Sequence, residues 1–107
     1  MEVNLKRIEN YIKEFPDTEI WVISGNGIQA KLYWKKIKEI TDVKTIKPYI
    51  FSKNIYTIDG LNPQKALIIL CGRWYLNPVA DSNIFKQYLR QARFTMPISE
   101  IPSLKAI

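Results

Sequence analysis

Ala66-Leu67-Ile68-Ile69-Leu70-Cys71 is apolar at every position. A strand with one wet face alternates polar and apolar residues, whereas a parallel strand covered on both faces has no reason to alternate. The run therefore reads as a central parallel strand. Glu19-Ile20-Trp21-Val22-Ile23-Ser24 has a similar character, rich in β-branched and aromatic residues, and reads as a second buried strand.

Helical patterns flank these strands. Leu5, Ile8, Ile12 and Phe15 recur at helical spacing and predict an amphipathic helix over residues 3–14, stopped by Pro16-Asp17-Thr18. Ala30, Tyr33, Trp34, Ile37 and Ile40 predict a second helix over residues 28–41. A further strand is expected near Lys44 to Phe51, at a sheet edge because of Pro48. Ile55 to Ile58 reads as a short extended segment closed by the Asp59-Gly60 turn. Gly72 to Pro78 reads as a loop. Asp81 or Ser82 is placed to cap a last helix reaching about Arg93, with Ile84, Phe85, Tyr88, Leu89 and Ala92 facing inward. Pro97 and Pro102 make Met96 to Ile107 an extended tail.

The expectation is one α/β domain over residues 1–95 and a tail over residues 96–107. Its architecture is a small three-layer sandwich, a mainly parallel sheet of about three to four strands with helices on both faces and right-handed crossovers.

The 107 residues suffice for a single core, and 47% apolar against 24% charged residues excludes a disordered chain. No apolar run approaches the roughly 20 residues that span a bilayer. Met1 to Arg7 leads into an amphipathic pattern in place of a secretory signal, so a cytoplasmic protein without a membrane partner is expected. Cys71 is the one cysteine and there is no histidine. That combination excludes an internal disulfide, a multi-thiolate zinc site, and Ser-His or Cys-His catalysis. Cys71 reads as a small buried apolar residue, and no catalytic residue, metal ligand or cofactor is expected.

The charge is uneven. Residues 1–30 carry three basic and five acidic groups, and residues 31–107 carry thirteen and five, giving a net charge of +6 for the chain. Such a field favours nucleic acid, a nucleotide or an acidic protein surface, with a homodimer as a further option. Surface lysines that merely keep the chain in solution are the plainer account.

Ser24-Gly25-Asn26-Gly27-Ile28-Gln29-Ala30-Lys31-Leu32 follows an expected strand and opens an expected helix, the setting in which loops cradle phosphates. Gly25, a four-residue gap, Ala30 and Lys31 resemble the Walker A loop of P-loop NTPases, and the strand ending in Leu70-Cys71-Gly72 resembles their Walker B strand. Ala30, Leu32 and Cys71 stand where that family has its second glycine, its magnesium-holding hydroxyl and its metal-ordering acid, which argues against hydrolysis. Gly25, Gly27 and Ala30 also resemble the G-x-G-x-x-A pattern of Rossmann domains, where the ribose-binding acid after the second strand is replaced by Ser52 and Lys53. The pair suits a phosphate better. As a whole, the small basic chain with a degenerate phosphate loop resembles the accessory proteins of bacterial or archaeal viruses. That resemblance implies a modulator of host nucleic-acid or defence machinery. Backbone mechanics offer a structural alternative, since a tight strand-to-helix turn uses residues that tolerate positive φ.

Lys31, Lys35 and Lys38 share one face of the second helix, and Lys86, Arg90 and Arg93 repeat that spacing on the last. Arg73, Trp74 and Tyr75 follow the central strand, where a parallel sheet presents binding groups. They suit a base stacked on a ring beside a phosphate, or a protein hot spot. The structural alternative has Trp74 and Leu76 covering the end of the sheet. The candidate phosphate or nucleotide site is thus Gly25, Asn26, Gly27 and Lys31. The candidate partner surface is Lys35, Lys38, Arg73, Trp74, Tyr75, Lys86, Arg90 and Arg93. The function expected is a non-catalytic interaction module, with non-hydrolytic nucleotide or phosphate-ligand binding as the alternative.

Overall fold

The structure, a computed structural model, describes residues 2–40, 47–54 and 60–98. Helix α1 (Glu2–Glu14) leads to strand β1 (Glu19–Ile23), helix α2 (Gly27–Ile40) and strand β2 (Tyr49–Ile50). After strand β3 (Ala66–Cys71) come helix α3 (Asn83–Gln91) and strand β4 (Phe94–Ile98). All four strands are parallel, in the order β2-β1-β3-β4. The two apolar segments are its central pair, with Glu19 opposite Ala66 and Ile23 opposite Leu70. The small α/β architecture expected from the sequence is the one observed.

Side-chain alternation sends the two faces of these strands into two cores. Ile20, Val22, Leu67 and Ile69 pack with Ile8 of α1 and with Ala30, Tyr33, Trp34 and Ile37 of α2. Trp21, Ile23, Ala66 and Ile68 pack on the opposite side with Phe51, Val79 and Ala80, and with Phe85 and Tyr88 of α3. The β1-α2-β2 and β3-α3-β4 connections thus run in opposite directions across opposite faces, so they share one hand. Such a doubly wound sheet diverges at the carboxyl ends of β1 and β3.

Local signals explain the element ends. The Thr18 amide and hydroxyl both donate to the Phe15 carbonyl, at 3.1 and 2.6 Å, closing α1 in a turn through Pro16. Ser82 caps α3, its Oγ accepting from the Phe85 amide at 3.1 Å.

Several expectations shift. Helix α3 ends at Gln91, so Arg93 lies beyond it. Ile84 faces outward at 36% exposure, because the buried stripe runs through its neighbours Phe85 and Tyr88. The extended segment expected from Met96 begins inside β4, where Met96 and Ile98 are buried. Ile98 accepts from the Gly72 amide at 2.9 Å, so Pro97, one residue earlier, turns its backbone to the outer edge, where no ladder donor is needed. Strand β2 also lies at an edge, as Pro48 predicts, but spans only Tyr49–Ile50. Residues 41–46, the segment Ile55 to Ile58 with Asp59, and residues 99–107 lie outside the described residues, as do the side chains of Leu5 and Ile40. No helix among the described residues is long and apolar enough to cross a membrane.

Arg93 has a partner within the fold. It holds Asp17 through two hydrogen bonds of 2.8 and 3.3 Å, and its guanidinium lies 5.3 Å from the centre of the Phe15 ring. Lys65 approaches the same carboxylate at 3.8 Å. The hydrogen bond from Arg93 holds the Asp17 carboxyl below its usual range. A carboxyl that titrates lower in the folded than in the unfolded chain adds stability above the unfolded value near 3.9, lost as pH falls through the folded value. Arg93→Gln is therefore expected to lower stability at neutral pH and to flatten its decline below about pH 4, read by denaturant titrations across that range.

Candidate functional site

Only Ser24, Gly25 and Asn26 separate β1 from α2. Asn26 caps the helix: its Oδ1 accepts from the Gln29 amide at 2.9 Å, and its carbonyl accepts from Ala30 at 3.0 Å. Lys31 is thus the fifth residue of the helix, and no long loop wraps around a phosphate as the Walker-like spacing implied. The positive-φ explanation of the turn also fails. Among the described residues the positive-φ positions are Gly60 and Gly72, and neither Gly25, Asn26 nor Gly27 joins them. A Cβ built on Gly27 would lie 3.6 Å from Ser52 Cα, an ordinary contact, so the backbone does not demand glycine there.

The start of α2 and the end of β2 bound an open recess of about 530 Å³, lined by Asn26, Gly27, Ile28, Lys31, Ile50, Ser52 and Lys53. Two lysines 22 positions apart in the chain meet there because β2 pairs with β1. Both are exposed, and no acidic side chain among the described residues lines the recess. Gly27 and Ile28 are the first residues of a 14-residue helix, whose opening amides lack intrahelical acceptors and whose dipole is positive at this end.

The turn after β3 stands beside this recess. Gly25 and Arg73 emerge from neighbouring parallel strands, and a Cβ built on Gly25 would lie 3.9 Å from the Arg73 carbonyl. Arg73 and Tyr75 are exposed, Trp74 is half-buried, and none of the three lines the recess. Trp74 packs against Phe85 with ring centroids 6.4 Å apart. Leu76, read as a cover for the sheet, is 61% exposed.

Asn77 holds these pieces together. It is fully buried, and its Nδ2 donates to the Ser24 carbonyl at 3.0 Å and the Ser52 carbonyl at 3.4 Å. Its Oδ1 accepts from the Val79 amide at 3.0 Å. One side chain therefore ties the ends of β1 and β2 to the turn after β3. The sequence showed Asn77-Pro78 only as a turn, and nothing local reveals carbonyl partners 53 and 25 residues away.

The remaining candidates spread over the molecule. Lys35 and Lys38 continue along α2 away from the recess, exposed and half-buried, while Lys36 between them pairs with Glu39 at 3.5 Å. Lys86 and Arg90 are exposed on α3. Arg93 is engaged by Asp17 beside the amino-terminal end of β1. Burial pushes the Cys71 thiol far above its usual range, so it stays protonated at neutral pH. Among the described residues, no group of three or more Cys, Asp or Glu side chains is placed to hold a metal ion. Comparison with protein families, curated proteins and solved structures finds no match.

Proposed function

We propose that this protein is a non-catalytic binding module whose ligand carries phosphate, held in the recess between α2 and β2. The observation that carries the reading is the convergence of Lys31 and Lys53 on one open recess that no acidic side chain among the described residues lines. Two cations brought to one recess repel one another, and an anion between them offsets that repulsion. Ser52 adds a hydroxyl to the lining, and the positive end of α2 acts in the same direction. Lys35 and Lys38 extend the basic surface along α2.

Thermal unfolding with pyrophosphate or ATP tests this. At ligand about ten times its Kd, the folded state gains about 1.4 kcal/mol, which raises the midpoint by roughly 5–10 °C for a domain of this size. Lys31→Gln and Lys53→Gln should each remove most of the rise without lowering the ligand-free midpoint, because both side chains are exposed. No rise with either compound at millimolar concentration removes the proposal.

A further inference from the structure

We infer that the ligand is a single strand of nucleic acid, its phosphates at Lys31 and Lys53 and a base stacked on Tyr75. This inference rests on reading the recess as a phosphate site. Sites for small molecules enclose most of their ligand, commonly about 70–90% of its surface. This recess is open and its lysines are exposed, so a lone nucleotide there keeps most of its surface in water. A polyanion passing over it makes several modest contacts in succession, each releasing counterions.

The recess and the turn that carries Tyr75 lie at the same edge of the sheet, past the carboxyl ends of neighbouring parallel strands. Ser52, in the recess, is joined through Asn77 to the turn that carries Tyr75. Strands β2 and β3 lie on either side of β1, so their ends are two strand spacings apart, about 10 Å. Roughly three nucleotides at a stacked rise of about 3.4 Å cover that distance. Arg73 is exposed in the same turn as Tyr75.

Tyr75 is suited to stacking because it is exposed on a hydrogen-bonded turn. It is 58% accessible, and its turn is closed by the Leu76 amide on the Arg73 carbonyl and the Asn77 amide on the Trp74 carbonyl, both at 3.0 Å. Trp74 meets it edge-on at 6.2 Å and is anchored on Phe85. A ring carried on a closed turn and against a neighbouring ring loses less freedom when a base settles on it than one on an open loop. A duplex keeps its base faces inside its own stack and offers none to Tyr75, which selects for single strands.

The test is fluorescence anisotropy with labelled oligothymidine and oligouridine of about 12 nucleotides and a duplex of equal length. At least one single strand should bind more tightly than the duplex. With two phosphates neutralised, affinity should fall about sevenfold between about 50 and 200 mM salt. Tyr75→Ala should weaken binding by roughly five- to 150-fold at unchanged midpoint, the range of one stacking contact of about 1–3 kcal/mol. Lys31→Gln or Lys53→Gln should each reduce the logarithmic salt slope by about 0.7. Equal or tighter duplex binding, or single-strand binding indifferent to Tyr75→Ala, overturns the inference. If pyrophosphate raises the unfolding midpoint through Lys31 and Lys53 while no oligonucleotide binds, the strand fails and the phosphate recess stands. If neither ligand binds, both fall together.

Discussion

Gly72→Ala is expected to destabilise the protein by about 3 kcal/mol, enough to lower its unfolding midpoint by more than about 10 °C. Two separate effects contribute. Gly72 has φ +54°, a left-handed conformation that raises the energy of an L-residue by about 1–2 kcal/mol. A Cβ there would lie 2.5 Å from the Tyr33 hydroxyl oxygen and 3.1 Å from the ring carbon bearing it. Tyr33 is packed into the core on the α1/α2 side, so moving it adds about 1–3 kcal/mol of overpacking. Gly72 also bonds β4 through its amide, so a shift of its backbone loosens the edge of the sheet. Equilibrium urea unfolding measures the total. Adding Tyr33→Phe should recover only a part, since it removes the oxygen and leaves both the ring and the backbone conformation. A loss below about 0.5 kcal/mol for Gly72→Ala contradicts this account, being the size of an ordinary surface change.

Asn77→Ala is the second large effect, again about 3 kcal/mol. It strips a buried carbonyl of Ser24 and a buried amide of Val79 of their partners, and each orphaned group is worth about 1–3 kcal/mol. Asn77→Asp separates the two halves of the interaction. It preserves an acceptor for Val79 but turns an oxygen toward the Ser24 and Ser52 carbonyls. Burial among acceptors then favours the protonated carboxyl, so its folded pKa rises above the unfolded value near 3.9. The folded chain holds the extra proton between those two values, and stability falls as pH climbs through that window. Unfolding at pH 4 and pH 7 should therefore show Asn77→Asp gaining on Asn77→Ala under acid, and parallel behaviour of the two refutes the assignment of Nδ2 to the carbonyls. Both variants should also weaken ligand binding, because Asn77 holds Ser52 and with it the position of Lys53.

The centre of the fold was legible because continuous apolar runs over residues 20–23 and 66–71 leave a strand no wet face. Caps and stops such as Ser82 and Pro16 were legible because their chemistry is local. Strand β4 was not, since Phe94-Thr95-Met96-Pro97-Ile98 contains a residue that ordinarily argues against a strand. Only its place at the rim, with the Pro97 backbone turned outward, reconciles the two. The candidate site divides in the same way. Lys31 followed from its position after a strand-to-helix turn, and Ser52 and Lys53 already read as phosphate-compatible, but their approach to Lys31 depends on β2 pairing with β1. The burial of Asn77 and the exposure of Leu76 depend equally on contacts remote in the chain.

Pro97 carries a further consequence for assembly. A sheet grows by adding strands at its rims, and an incoming chain needs a ladder of amides to dock against. Among the described residues, Pro97 takes one amide out of that ladder at the fourth of the five residues of β4, while at the opposite rim β2 spans two residues, too few to template a partner. Neither rim, over the described residues, therefore offers an unbroken row of amides to fibrillar stacking, and a concentrated solution of this strongly cationic chain is expected to resist cross-β aggregation.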